Sequence, residues 1–291
     1  QRGKSVCGGC ARGCNTVVDH RSGQVYRMLP RENEQVNKSW MCDEGRLTYK
    51  PVNESNRLRL PMVKDGGAFR EQRAAETLRQ IREKLVSMDP NLICGIGSAQ
   101  YTNEDNFAFK QFLTTLGVSH FYRYHHRPVH PSSDNFLIKA DKNPNSRGVE
   151  TLGFQEVTGD RRFQFFFVLG PVEEDFIKPL FLEKEATVVL FSPWKTGAGF
   201  SNFLLPVGTF AETEGTFTNF QGRVQRIRAA FPPPGESRPV WQWCHELTRL
   251  LEKPEPLYDN AEKLFSRLAM EVPAFKGLSY EKMGNQGALL K

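Results

Sequence analysis

The sequence predicts an α/β protein preceded by a small hairpin unit that bears cysteines, and three observations carry that prediction. Short apolar runs, Phe165-Phe166-Phe167-Val168-Leu169 and Val188-Val189-Leu190-Phe191, have the length and residue types of buried strands. A strand, a glycine turn and a helical pattern follow one another over residues 91–116, the order of a parallel α/β layer. Cys7, Cys10, Cys14 and Cys42 all fall before that layer begins.

Taken in order, residues 1–60 form the first unit. Thr16-Val17-Val18 and Gln24-Val25-Tyr26-Arg27-Met28 are strand-like and flank His20-Arg21-Ser22-Gly23, a turn of hairpin character. Pro61, Asp65, Gly66 and Gly67 mark a boundary to the second unit, expected over 61–235. A helix is expected over 68–86, with Ala74, Leu78, Ile81 and Leu85 on one face. The strand 91–97 then leads to a helix over 104–116. Residues 120–160 read as irregular, and strands return at 163–169 and 186–191. Residues 211–219 read as a loop feeding a short strand, and Phe231-Pro232-Pro233-Pro234-Gly235 as a turn or linker. The third unit, 236–291, holds a helix over 240–251 with Trp241, Cys244, Leu247, Leu250 and Leu251 on one side. The last fifteen residues are expected to be a loosely packed tail.

The chain has 291 residues, 39% of them hydrophobic, enough for one large core or two modest ones. No apolar run approaches the length that spans a bilayer, so no membrane insertion is expected. The formal charge of +6 is spread among acids, as in Arg57, Arg59, Arg70, Arg73, Arg79 and Arg82. That distribution suits a solvated or docking surface, and no nucleic-acid partner is expected. The sequence opens on Gln1 with no charged-then-apolar leader, and the expectation is a stretch of a longer gene product.

The cysteine spacing is Cys-x2-Cys-x3-Cys-x27-Cys. Three thiols on one loop can wrap three corners of a cubane, and the fourth comes from beyond a hairpin. Such clusters are held by four Cys thiolates, with backbone N–H groups bonding the sulfurs, and Gly8, Gly9 and Gly13 free the backbone here. Structural zinc is the alternative, but its sites pair Cys-x2-Cys knuckles, and only Cys42 stands on the second side. Two disulfides suit neither the crowding nor the chain length. The expected cofactor is one [4Fe–4S] cluster on Cys7, Cys10, Cys14 and Cys42, in a reducing compartment.

These cysteines with Trp40-Met41-Cys42-Asp43-Glu44-Gly45-Arg46 resemble the iron–sulfur domain of the molybdopterin oxidoreductase superfamily. More narrowly, the chain resembles the G-subunit family of bacterial NADH-quinone oxidoreductases (respiratory complex I). Further matching blocks lie at 97–106 (Gly-Ser-Ala-Gln-Tyr-Thr-Asn-Glu-Asp-Asn), 140–148, 214–225 and 234–239. The resemblance implies a reduced, degenerate molybdopterin-oxidoreductase-like α/β domain after the [4Fe–4S] hairpin domain. It implies an electron-transfer or structural subunit without substrate chemistry of its own and with no catalytic residue. Its partners would be the flavin- and NADH-binding subunits and the quinone-module subunits. It would sit peripherally on the cytoplasmic side of a bacterial inner membrane, and any further clusters would lie upstream of Gln1. The alternatives are a fragment of a molybdopterin enzyme such as a formate dehydrogenase, or a hydrogenase diaphorase subunit.

No molybdopterin is expected, on three grounds. The chain is far shorter than those enzymes. Glu44 stands where they commonly place Lys, and neither Cys94 nor Cys244 has surroundings that match a molybdenum ligand. Both read as buried small hydrophobes. Gly95-Ile96-Gly97 lacks the third glycine of a dinucleotide loop and reads as a strand-to-helix turn. His125, His126 and His130 read as a surface loop, and Glu212, Glu214 and Asp19 carry no positioned acid/base chemistry.

Overall fold

The computed structural model describes residues 1–126, 132–157, 161–183, 186–196, 199–254 and 258–291. Strands β1 (Arg2–Val6), β2 (Asn15–Arg21) and β3 (Gln24–Pro30) form an antiparallel sheet in which β2 is central. The hairpin turn uses Ser22 and Gly23, both at positive φ, as its two-residue length requires. A short helix, α1 (Asp43–Leu47), follows directly after Cys42.

Strands β4 (Met62–Asp65) and β5 (Ala68–Glu71) form a hairpin turned by Gly66 and Gly67 (φ +57° and +89°). Pro61 to Gly67 therefore lead into an edge hairpin, and helix α2 (Ala74–Leu85) starts six residues later than the pattern predicts. Strand β6 (Ile93–Ser98) is followed by α3 (Asn103–Thr115), β7 (Phe121–Tyr124) and α4 (Ser146–Thr151). The 120–160 stretch thus holds a strand and a helix that its polar sequence conceals. Next come β8 (Phe165–Leu169), α5 (Glu174–Ile177), β9 (Thr187–Ser192) and β10 (Phe203–Pro206). Seven strands make one sheet in the order β5-β4-β10-β9-β8-β6-β7, parallel from β10 to β7 and antiparallel at β4 and β5.

The central strands are buried on both faces, which explains their unbroken apolar runs. The two-residue period of β8 sends Phe165, Phe167 and Leu169 into one core, and Phe166 and Val168 into the other. Helices α2 and α3 cover the first face with α6 (Val240–Leu250) and α7 (Ala261–Glu271), after the ribbon β11 (Gly215–Thr218) and β12 (Arg223–Ile227). Cys94 lies in the second core and Cys244 in the first, both with at most 1% of their surface exposed. Gly95 and Gly97 lie within β6, where a Cβ would meet Leu113 at 2.5 Å and Phe154 at 2.6 Å. These glycines serve the close approach of α3 and its neighbours, not a phosphate.

The C-terminus departs from the expected loose tail. Helix α8 (Tyr280–Met283) buries both its end residues, and β13 (Ala288–Leu289) pairs with β12. The Tyr280 hydroxyl donates to the buried Glu104 at 2.9 Å, and the Arg226 guanidinium stands 4.0 Å from the Tyr280 ring centre. Two buried residues joined to a distant helix give this segment an anchor that a composition rich in Lys and Gly does not reveal.

Candidate iron–sulfur centre

The loop from Cys7 to Cys14 joins β1 to β2 and is closed by its own backbone, the Cys7 amide donating to the Cys14 carbonyl at 2.8 Å. Gly13 (φ +65°) lets the loop turn back, and a Cβ there would meet the Gln225 side-chain oxygen at 2.9 Å. The ribbon of β11 and β12 grips this loop from outside. Gln225 donates to the Gly13 carbonyl at 3.0 Å, the Asn219 side chain to the Arg12 carbonyl at 3.3 Å, and the Phe220 amide to the Ala11 carbonyl at 2.9 Å.

Cys42 arrives at the same place because Asn37 pins the segment before it. The Asn37 side chain accepts from the Asn15 amide at 2.9 Å and donates to the Trp40 carbonyl at 2.9 Å, tying the residues beside Cys14 to those beside Cys42. Cys42 then caps α1, its sulfur accepting from the Gly45 amide at 3.3 Å, and the Cys7 sulfur accepts from the Gly9 amide at 3.4 Å. Gly45 faces both sulfurs: a Cβ there would lie 3.2 Å from the Cys7 sulfur and 3.3 Å from the Cys42 sulfur.

All four thiols line one cavity of about 220 Å³, closed by Gly9, Gly13, Met41, Glu44, Gly45, Thr48, Leu137 and Ile138. Cys7, Cys10 and Cys14 are buried and Cys42 is half-buried. Burial pushes the Cys7 thiol up to about 12 and raises Cys14 and Cys42 as well, against the lowering pull of the Gly9 and Gly45 amides on Cys7 and Cys42. Thiols so buried become ligands by giving up their protons to a metal. Among the described residues no group of three His, Cys, Asp or Glu is placed to hold a single metal ion. Four Cys thiols lining one small cavity are the donor set that such clusters use, so the residues present fit the group.

Glu44 does not stand as a bare carboxylate. It accepts from Lys142 Nζ at 2.7 Å and from the Ser132 hydroxyl, and the Lys142 bond holds its carboxyl below the usual range. Lys142 thus sets a cation beside the carboxylate that follows the fourth cysteine. Sequence reasoning missed Lys142 and Ser132, as it missed the wall residues Leu137 and Ile138, because they lie some ninety residues from the cysteines with no periodic signal.

A second cavity, about 380 Å³, opens at the carboxyl ends of the parallel strands. The chain reverses its direction of sheet growth at β6, so this is the crevice where open α/β sheets take ligands. Its lining includes Gln100, Tyr101 and Thr102 after β6, Pro171 after β8, Trp194 after β9 and Phe210 after β10. Gly8 and Thr48 link its wall to the cysteine loop. Among the described residues no thiol lines it, and proline or aromatic residues form much of its surface. Its cation Lys142 is already paired with Glu44, and the side-chain amide of Gln100 donates to the Lys142 carbonyl at 3.0 Å and to Asn143 at 3.1 Å.

The other sequence candidates are held in structural roles. Glu212 makes a buried pair with Arg57 at 2.6 Å, Glu214 pairs with Arg226 at 2.9 Å, and Asp19 pairs with Arg2 and Arg27. His126 lines the second cavity and lies 3.8 Å from Glu173, while His130 lies outside the described residues.

Two segments of the chain match known protein domains. Residues 4–50 match the NADH-ubiquinone oxidoreductase NDSU1/NuoG-like 4Fe-4S domain, and residues 138–250 match the molybdopterin oxidoreductase domain. The G subunit of the NADH-quinone oxidoreductase of Rickettsia felis is 33% identical over 111 residues, 38% of this chain and 16% of that protein. The F420-dependent formate dehydrogenase 2 subunit alpha of Methanococcus maripaludis is 36% identical over 91 residues, 31% of this chain and 14% of that protein. The matched stretches thus span only a small part of these relatives. In fold, acetylene hydratase from Pelobacter acetylenicus superposes with a TM-score of 0.66 at 9% identity, covering 99% of this chain and 74% of the other. This chain thus carries a segment similar to the NuoG-like 4Fe-4S domain, which holds the four convergent cysteines, followed by a segment similar to the molybdopterin oxidoreductase domain, and it shares sequence similarity with NADH-quinone oxidoreductase G subunits.

Proposed function

We propose that Cys7, Cys10, Cys14 and Cys42 hold one [4Fe–4S] cluster, and that the chain is an electron-transfer or structural part of an NADH-quinone oxidoreductase that carries no molybdenum. The observation that carries this reading is the single cavity lined by all four thiols inside the segment matched as a 4Fe-4S domain. A bound cluster supplies one-electron transfer, and the rest is this chain's work. Leu137, Ile138 and Met41 exclude water from the site. The Gly9 and Gly45 amides point at two of the sulfurs, where such bonds stabilise thiolate and help to set a potential. The ribbon of β11 and β12 fixes the loop against the larger domain.

The absence of molybdenum is supported by the thiol-free lining of the crevice and by the Glu44–Lys142 pair. Our reading keeps the division into 1–60, 61–235 and 236–291, the C-terminal helices packing on the core of the middle unit. The partners would be the flavin- and NADH-binding subunits and the quinone-module subunits, with a peripheral position on the cytoplasmic side of a bacterial inner membrane. Among the described residues no helix is long and apolar enough to cross a membrane.

Likeness to the formate dehydrogenase subunit favours a second reading, part of a molybdopterin-dependent enzyme. Metal analysis of the native complex separates the two. The first predicts iron without molybdenum, and stoichiometric molybdenum on this chain would replace it with the second. One zinc per chain and no labile sulfide would remove both.

A further inference from the structure

The outer skin of the cysteine cavity carries a patch whose composition the proposed cluster does not by itself explain. Trp40, Phe136 and Phe220 are 58%, 54% and 40% exposed, which is unusual for side chains of this size. They are contiguous. The Trp40 and Phe136 rings meet edge to face at 6.1 Å, Arg12 donates to the Phe136 carbonyl, and the Arg12 guanidinium lies 5.5 Å from the Phe220 ring centre. Lys139 Nζ stands 4.3 Å from that same ring.

Each of four patch residues adjoins the cavity wall in sequence: Arg12 next to Gly13, Trp40 next to Met41, Phe136 next to Leu137 and Lys139 next to Ile138. The loop that presents Phe136 is fixed in shape. The Asp134 carboxylate accepts from the amides of Phe136, Leu137 and Ile138 at 3.0, 2.5 and 2.6 Å.

Resting on the cluster reading above, we infer that Trp40, Phe136, Phe220, Arg12 and Lys139 form the docking face for a small acidic iron–sulfur protein that exchanges single electrons with this chain. Rigid aromatic rings with interleaved cations are the composition of interface hot spots. Cations at such a face select a partner of negative surface and speed its approach. The place of the patch, one residue outside the thiol cavity, selects a redox partner among acidic proteins. In the transfer one electron leaves the reduced carrier, which is oxidised, and reduces the centre held by the four cysteines. No bond or proton is exchanged.

The test uses the cluster-loaded full chain and an acidic [2Fe–2S] ferredoxin as probe, with binding measured by calorimetry at low and high salt. Lys139→Glu and Phe136→Ala should each weaken binding at least tenfold, and high salt should weaken wild-type binding far more than that of Lys139→Glu. Ferredoxin-driven reduction should slow in parallel, while cluster absorbance and reduction by dithionite stay unchanged. Equal binding by wild type and both variants would overturn the proposal. So would anionic vesicles binding in place of ferredoxin, or self-association of the chain that Phe136→Ala abolishes. Failure of the cluster reading is separately visible as preparations without iron, in which the binding comparison can still be made.

Discussion

Replacing Glu212 by Gln tests whether the cysteine domain and the larger domain are locked together by a buried charge pair. Arg57 and Glu212 have 6% and 3% of their side chains exposed, and two nitrogen–oxygen contacts of 2.6 and 3.0 Å join them. Glu212 also accepts from the amide and hydroxyl of Thr209 at 2.8 and 2.9 Å, while Arg57 donates to the carbonyls of Val52 and Pro193. Removing one partner of a buried pair costs about 3–5 kcal/mol, because the other charge stays buried without compensation. Arg57 keeps its two carbonyls and the Gln oxygen can still accept from Thr209, which places the expectation at the lower end, roughly 3 kcal/mol. For a large domain that corresponds to a fall in Tm of roughly 6–12 °C. The assay is urea and thermal denaturation of wild type, Glu212→Gln and the double variant Arg57→Met/Glu212→Leu. The double variant should recover most of the loss, because neither charge is then left buried. A single variant within about 0.5 kcal/mol of wild type would refute the reasoning, since that is the effect of an ordinary surface change.

Three further predictions concern the site and its supports. Gly45→Ala should cut the iron content to below half of wild type with far-UV dichroism unchanged, because its Cβ would sit 3.2 Å from the Cys7 sulfur although Ala favours helix. Asn37→Ala removes the bonds that hold the Cys14 and Cys42 segments together and should cost about 1–3 kcal/mol in urea denaturation, leaving the Asn15 amide unpaired. Glu104 is fully buried, and burial pushes its carboxyl up to about 8 despite bonds from Thr216 and Tyr280. Its folded state therefore keeps a proton that the unfolded chain releases near the ordinary value, so this contribution to stability is lost as pH rises toward 8. The buried Asp105, raised to about 6, acts in the same direction at lower pH. Between pH 6 and 8 the urea midpoint should fall for wild type and stay nearly level for Glu104→Gln, and equal slopes would contradict the assignment.

The sequence made the central sheet legible because β8 and β9 are buried on both faces and leave unbroken apolar runs. Helices α2 and α6 were legible because one side of each faces the core, whereas α3, buried all round over residues 103–109, was legible from the strand and turn before it. Strand β7 and helix α4 were not, since their positions are fixed by neighbours: β7 pairs with β6 and bridges to Gln155, and the start of α4 is tied to the turn after β6 by Asn145, whose side chain donates to the Tyr101 carbonyl. The C-terminal segment was misread because two buried residues, Tyr280 and Met283, are too few to mark a periodic pattern. At the candidate site the four cysteines were legible from spacing alone, and Glu44 stood out as a departure. Lys142, Ser132, Leu137 and Ile138 were not, because they are brought to the cysteines by tertiary packing rather than by a motif.

The most direct test of the central claim is iron and acid-labile sulfide content of anaerobically prepared protein, with EPR after dithionite reduction. About four irons and four sulfides per chain, with a reduced-cluster signal that Cys42→Ser abolishes or reshapes, are what the account predicts. Zinc in place of iron, or an unchanged signal in Cys42→Ser, would contradict it.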